Sequence, residues 1–280
     1  MEVLKTKNEV AIYLKAILGE YKTVGFVPTM GALHQGHLQL VKRAKHENNI
    51  AIASIFVNPT QFNNPEDLKK YPRMPVLDIE LLTEVGCNAV FIPEVSEMYA
   101  PHEPMLNLDL GNIANVMEGQ FRPGHFQGVI TIVHKLFDVV KPTAVYLGEK
   151  DFQQLAVIRF MVAKLHPYIK IVGCPTVRET DGLAMSSRNL RLTAKERSKV
   201  TIIYKSLYDA VQWKHSFTVE ELKNKVIDQI NNIQLFKVEY FDIVDPTTLQ
   251  SINNWNDSDN PRACIAVLAS TVRLIDNIAL

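Results

Sequence analysis

The sequence predicts an α/β protein: a doubly wound parallel sheet followed by a smaller α+β domain. Two observations carry that expectation. Through the first two thirds of the chain, short apolar runs of strand length alternate with segments of helical periodicity. Near residue 177 the alternation stops, and two capped helical patterns lead into further strands. Strand–helix–strand succession implies parallel pairing through right-handed crossovers, and such sheets bind ligands beyond the carboxyl ends of their strands. Residues directly after each strand are therefore where function is sought.

Residues 23–27, 50–57, 89–92, 144–147 and 169–174 are the expected strands, apolar enough to be buried on both faces. Helices are expected at 38–44, 78–85, 129–140 and 155–165; in the first, Leu38, Leu40, Val41 and Ala44 fall at helical spacing. Another is expected at 193–213, with Thr193 as N-cap and Glu196 three residues on, and one more at 218–230, where Thr218 and Glu221 repeat the device. Two strands, 238–244 and 263–269, joined through a polar loop at 253–260, complete the second domain. The expected division is 1–176 and 177–280.

Length and composition bound the function. A chain of 280 residues, 47% hydrophobic and 21% charged, has ordinary globular composition. Lys plus Arg equal Asp plus Glu at 30 each, so no global field recruits nucleic acid or an anionic membrane. Any anion must be held by a local site. Cys87, Cys174 and Cys264 are far apart in apolar stretches, the pattern of buried inert thiols rather than of a metal or redox pair. The N-terminus shows no basic region ahead of an apolar run, and no uncharged apolar stretch reaches about 18 residues, so a cytoplasmic protein is expected.

The first expected strand ends in Pro28-Thr29-Met30-Gly31, and a helix begins near Gly36. His34 and His37, three apart, share a face if both lie in its first turn. A helix start offers free backbone N–H groups and the positive end of the dipole, both suited to phosphate. Gly31 and Gly36 let a ligand approach the backbone. Two imidazoles there can hydrogen-bond phosphate oxygens and neutralise charge developing on an α-phosphate; the plainer alternative is a pair of surface histidines. A second junction, Gly148-Glu149-Lys150-Asp151-Phe152-Gln153-Gln154, falls on the same sheet edge. Lys150 supplies a point charge for phosphate and Gln154 a donor and an acceptor for a polar substrate, unless the segment is an exposed charged turn. A third segment, Asp181-Gly182-Leu183-Ala184-Met185-Ser186-Ser187-Arg188-Asn189, offers hydroxyls and a guanidinium to wrap a triphosphate and close over it, or else only caps the next helix. Gln61, in Asn58-Pro59-Thr60-Gln61-Phe62, is placed to read a small polar substrate. His125, in Arg122-Pro123-Gly124-His125-Phe126, is either catalytic or structural.

Together and in this order, the motifs resemble the pantoate–β-alanine ligase (pantothenate synthetase) family. The resemblance runs from about residue 20 to the C-terminus and rests also on Ser54-Ile55-Phe56-Val57 before Asn58, on Tyr71-Pro72-Arg73 and on Glu118-Gly119. A His-x-Gly-His alone is shared by many nucleotidyltransferases and class I tRNA synthetases; the ordered set is specific. The resemblance implies a Rossmann-like ATP- and pantoate-binding domain over 1–176, a C-terminal lid domain over 177–280, and a homodimer. It implies ATP arriving with Mg2+: pantoate carboxylate attacks the α-phosphate, pyrophosphate leaves, and the amine of β-alanine displaces AMP from the pantoyl adenylate. By position, Met30, Gly31, Ala32, Leu33, His34, Gln35, Gly36 and His37 contact ATP, as do Gly148, Glu149, Lys150, Asp151, Val177, Met185, Ser186, Ser187 and Arg188. His34, His37 and Lys150 form the catalytic group, with His37 the proton donor of the family. Gln61 and Gln154 hold pantoate, and Gln61 borders β-alanine. No residue is expected to ligate a metal, and neither nucleic acid nor a membrane is an expected partner.

Two positions depart from the family pattern. Leu77 stands in what is often an acidic run, of which only Asp78 remains, and Arg191 stands where tyrosine is usual. On chemical grounds the pyrophosphate leaving group is a weak base stabilised by magnesium, so it gains little from general acid catalysis. Hydrogen-bond stabilisation of transition-state charge is the simpler role for both histidines. A nucleotidyltransferase acting on a phosphate ester would want a further basic cluster for its acceptor, and none lies near Gln61 or Gln154 in the sequence. A tRNA synthetase is disfavoured by chain length and the lack of a basic surface. A nucleotide-binding regulator would not need Gln61 and Gln154.

Overall fold

The computed structural model describes residues 1–17 and 22–280; the start of the resemblance near residue 20 lies outside the described residues. The chain folds as two compact units, Met1–Leu110 with Arg122–Glu149 and Gln154–Pro175, and Gly111–Phe121 with Lys150–Gln153 and Thr176–Leu280.

The first unit is built on a parallel sheet in the order β1 (Glu2–Leu4), β4 (Ala89–Phe91), β3 (Ile50–Ile55), β2 (Val24–Thr29), β5 (Ala144–Gly148), β6 (Lys170–Cys174). Helical connections join them: α1 (Lys7–Ile17) after β1, α2 (Gln35–Glu47) between β2 and β3, and α3 (Pro65–Lys70) with α4 (Pro75–Glu84) before β4. After β4 come α5 (Val95–Met98), α6 (Met117–Phe121), which belongs to the second unit, and α7 (His125–Val140); α8 (Phe152–Leu165) links β5 to β6. Alternate residues of the strands serve opposite faces, as the strand period requires. Val27, Ala51, Ala53 and Ile55 pack with Leu40, Val41 and Ala44 of α2. Phe26 instead meets Phe137 of α7 edge-on, with ring centroids 6.3 Å apart.

The strand order reverses at β2: β3 and β4 lie to one side, β5 and β6 to the other. β2 pairs with β3 as far as Thr29↔Ile55, but with β5 only as far as Phe26↔Val145. Pro28 has no N–H to extend a ladder. The carboxyl ends of β2 and β5 therefore part, and the parting sits at the topological switch point where open α/β sheets bind ligands. The expected strands of this unit are all present; β1, only three residues long, carries no periodicity and was not expected.

The second unit holds an antiparallel sheet, β7 (Phe236–Val244), β8 (Arg262–Ala269) and β9 (Val272–Ala279), in sequential order. α10 (Ile202–Trp213) and α11 (Val219–Asn231) share its core, in which Ile203, Leu207, Leu222, Val226, Ile243, Ile265 and Val267 are buried. Two expectations are corrected. The helix expected at 193–213 is divided into α9 (Ala194–Arg197) and α10, because the amides of Lys199, Ile202 and Ile203 bond three residues back and the Ser198 hydroxyl bonds the Lys195 carbonyl at 3.0 Å. The expected pair of strands is a trio: Ala269 pairs with Val272, so Ser270 and Thr271 make the hairpin turn, with Ser270 at φ 51°. The capping boxes Thr193–Glu196 and Thr218–Glu221 are both formed.

Candidate active site

In the first unit the turn between β2 and α2 is fixed from below. Thr29 Oγ1 donates to the Ser54 carbonyl (2.7 Å) and accepts from the Gly31 amide (3.2 Å). Asp78, almost wholly buried on α4, accepts the Ala32 amide at 2.9 Å and the Leu33 amide at 2.7 Å, one on each oxygen. Burial raises the Asp78 pKa, and these two amides act in the opposite direction. Gly31 and Ala32 adopt φ of 81° and 48°; a Cβ on Gly31 would lie 3.0 Å from both Asp78 Oδ2 and Ile55 Cγ2. The role of Asp78 has no local signal in the sequence, since its partners are 45 and 46 residues away.

α2 begins at Gln35, so His34 is its N-cap and His37 its third residue. The pair forms a capping box made of imidazoles. His34 Nδ1 accepts the Gly36 amide at 3.1 Å, and His37 Nδ1 accepts the His34 amide at 3.4 Å. An Nδ1 that accepts from a backbone N–H must carry its lone pair, so the neutral ring has its proton on Nε2. Both histidines are thereby set as Nε2–H donors, with ring centroids 4.0 Å apart and planes inclined at 34°. Gln35 and Gly36 form the first turn beside them.

Gln61, in the 3-10 turn Pro59–Gln61 after β3, is buried. Its Nε2 lies 2.9 Å from Met30 Sδ, which joins it to the 30–37 segment, and its Oε1 accepts from Asn58 Nδ2 at 3.1 Å. His125 Nδ1 is 2.8 Å from the Gln61 carbonyl, while Arg122 reaches that same carbonyl (3.2 Å) and His125 Nε2 (3.0 Å). Arginine only donates, so His125 accepts at Nε2 and donates from Nδ1 to Gln61. His125 thus props the Gln61 carbonyl, a contact of the kind a structural histidine makes. Gly128 lets α7 approach this turn: a Cβ there would meet the Thr60 carbonyl oxygen at 2.3 Å. Gly148 ends β5, Glu149 follows it, and Gln154 is half-buried in the first turn of α8.

In the second unit, Lys150 Nζ lies 3.6 Å from Asp151 Oδ1, and the Lys150 carbonyl accepts from Asn277 Nδ2 at 2.9 Å. The Met185 amide donates to the Val177 carbonyl at 3.0 Å, and Arg178 and Ala184 form a bridge, so Val177 and Met185 stand side by side. Ser186 caps the 3-10 turn Ser187–Arg191 by accepting the Arg188 amide at 3.3 Å; Ser187 is buried. Arg178 anchors this loop through both oxygens of buried Asp276 (2.6 and 3.0 Å) and stacks 4.1 Å from the Tyr204 ring. Glu118 is a strut: it takes Arg273 at 2.7 and 2.8 Å and the Tyr240 hydroxyl at 2.8 Å. Gln153, beside Gln154 in sequence, is spent on backbone groups of Ile113, Val116 and Glu118. These struts join residues at least 35 apart in sequence, beyond the reach of any spacing rule. Leu77 is exposed, and Arg191 ends the turn that Ser186 opens. Among the described residues no helix is long and apolar enough to cross a membrane.

A parallel sheet with a switch-point crevice, and a His-x-Gly-His turn opening the helix there, define a nucleotide-handling α/β enzyme. The family model described as pantoate-beta-alanine ligase matches residues 2–279. Pantothenate synthetases from Azobacteroides pseudotrichonymphae and Porphyromonas gingivalis are 50% and 49% identical to this chain, each over 99% of both proteins. The crystal structure of pantothenate synthetase from Thermus thermophilus is similar at TM-score 0.92 and 41% identity, over 99% of each chain. That of pantoate-beta-alanine ligase from Francisella tularensis, complexed with beta-gamma ATP and beta-alanine, is similar at TM-score 0.83 and 38% identity, over 99% of this chain and 97% of that one. The chain belongs to the pantoate–β-alanine ligase family, and is a ligase.

Proposed function

We propose that this chain joins pantoate to β-alanine at the expense of ATP, giving pantothenate, AMP and pyrophosphate through a pantoyl adenylate. A pantoate carboxylate oxygen bonds to the α-phosphorus as the bond to pyrophosphate breaks. The β-alanine amine then bonds to the acyl carbon, AMP leaves with that carboxylate oxygen, and the amine proton passes to solvent. The observation that carries the reading is the paired imidazole cap: two Nε2–H donors fixed by the backbone at a helix start, on a segment that Met30 ties to Gln61.

In this reading Met30, Gly31, Ala32, Leu33, His34, Gln35, Gly36 and His37 take ATP together with Gly148, Glu149, Lys150, Asp151, Val177, Met185, Ser186, Ser187 and Arg188. Charge that grows on the phosphate in the transition state meets donors that need no reorganisation, which is where electrostatic stabilisation is most effective. Gln61 and Gln154 hold pantoate, and Gln61 borders β-alanine. Residues 1–176 bind the substrates and 177–280 act as a lid that shields the labile adenylate from water. Magnesium enters as the counter-ion of ATP and neutralises phosphate charge. Both Asp78 oxygens already accept backbone amides and the Leu77 side chain has no ligating atom, so α4 offers no side chain dedicated to the ion, which would be carried by the ATP phosphates and water. The protein works in the cytoplasm as a homodimer.

Exchange of labelled pyrophosphate into ATP tests the assignment. Exchange should require pantoate and proceed without β-alanine. Exchange driven by another acid or by a phosphate ester, with pantoate inert, would overturn it.

A further inference from the structure

Among the described residues, one group of side chains outside the substrate edge brings metal-ligating atoms together: His134, Asp138 and His166, with one ligand atom of each within 4.8 Å of the others. His134 and Asp138 lie four apart on α7 and so share a helix face; His134 Nε2 is 3.4 Å from Asp138 Oδ2. His166, the first residue after α8, brings its Nε2 to 2.8 Å from His134 Nδ1. Two imidazole nitrogens in that contact share one proton between two lone pairs. We propose that His134, Asp138 and His166 bind a divalent transition-metal ion of the zinc, cobalt(II) or nickel(II) kind in place of that shared proton.

The fit rests on three features. First, metal–nitrogen bonds of about 2.05 Å at a tetrahedral angle need about 3.3 Å between nitrogens, so a small rotation of the His134 ring opens the present contact enough. Second, the surroundings preorganise one ligand and leave the others reachable. His166 is buried, with its ring edge-on to Phe137 (5.5 Å, 81°) and Tyr168 (6.2 Å, 82°). The His134 and Asp138 side chains are 29% and 59% exposed, which leaves coordination positions for water. Third, two imidazoles and one carboxylate suit borderline transition metals, whereas magnesium and calcium prefer all-oxygen shells. The ion that accompanies ATP is therefore not a competitor.

The site is separate from the substrate edge. α7 starts at His125, which props Gln61, and His134 comes nine residues later, about 13 Å along the axis at 1.5 Å per residue.

Titration of the untagged, chelator-treated full chain with Co2+, followed by visible d–d absorption and equilibrium dialysis, tests the proposal. One equivalent should bind, be displaced by Zn2+, and persist in millimolar Mg2+. His134→Gln and Asp138→Asn, both at solvent-reaching positions, should weaken binding at least about 10-fold while pantoate-dependent pyrophosphate exchange and thermal melting stay at wild-type levels. Absence of Co2+ binding to the wild type, or equal binding by wild type and His134→Gln, overturns it.

Discussion

At the scale of single residues, each imidazole of the α2 cap has two nitrogens with different duties. Nδ1 of His34 and of His37 accepts a backbone amide, which puts the proton of the neutral ring on Nε2. Glutamine places an N–H near the position of Nε2, and alanine places nothing there. His37→Gln is therefore expected to keep single-turnover adenylation within about 10-fold of wild type, whereas His37→Ala loses about 100-fold or more, the scale of one deleted transition-state donor. Equal losses in a rapid-quench measurement would instead make His37 a proton donor. That histidines open this helix was legible in the sequence, because cap and third residue are neighbours in the chain. Which nitrogen faces the ligand was not, since the tautomer follows from the backbone path through positive φ at Gly31 and Ala32 and from Asp78, set by a different helix.

Among elements, α7 approaches the 59–61 turn closely at Gly128. Gly128 sits where a Cβ would strike the Thr60 carbonyl oxygen at 2.3 Å and the Gln61 amide nitrogen at 2.9 Å, both backbone atoms that cannot rotate away. Gly128→Ala must push α7 off the turn or carry Gln61 with it. The expected result is a melting temperature lowered by an amount equivalent to about 1–3 kcal/mol and a pantoate KM raised more than kcat is lowered. A variant with wild-type pantoate KM would show that the turn does not depend on α7. Elements with strong periodicity and caps were readable: β2, β3, β5 and β6 on one side, and the helices begun by Thr193 and Thr218 on the other. β9 was not, because Ser270-Thr271 lacks the Asn-Gly or Asp-Gly signature of a two-residue hairpin. The division between α9 and α10 escaped for a related reason: Ser198 diverts its hydroxyl to the chain, an outcome that helical spacing does not encode.

At the scale of the whole molecule, three free thiols report on two compact units. Cys87 and Cys174 lie in the first and Cys264 in the second, all buried. Burial pushes Cys87 up to about 11 and Cys264 up to about 12, and raises Cys174 as well. Since the thiolate is the reactive form, none should label with a thiol reagent in the native protein at about pH 8, and all three should label after denaturation. Mass mapping of alkylation at intermediate denaturant would then follow each unit separately. Labelling of any of the three at the rate of a free thiol under native conditions would contradict the packing described. Here too the sequence was readable for a physical reason: a cysteine embedded in an apolar stretch is buried with its neighbours.

The imidazole cap has a consequence for how this chain can change over generations. Ser, Asp or Asn would start α2 more firmly than histidine does, but Asp has no donor for a phosphate and the shorter Ser and Asn side chains do not place one where a histidine Nε2–H lies. Under the proposed function, selection for a sturdier fold and selection for faster adenylation therefore pull on the same two residues in opposite directions. If the proposed role of the two imidazoles holds, a lineage that drifted to a better cap would keep its architecture and lose adenylation rate.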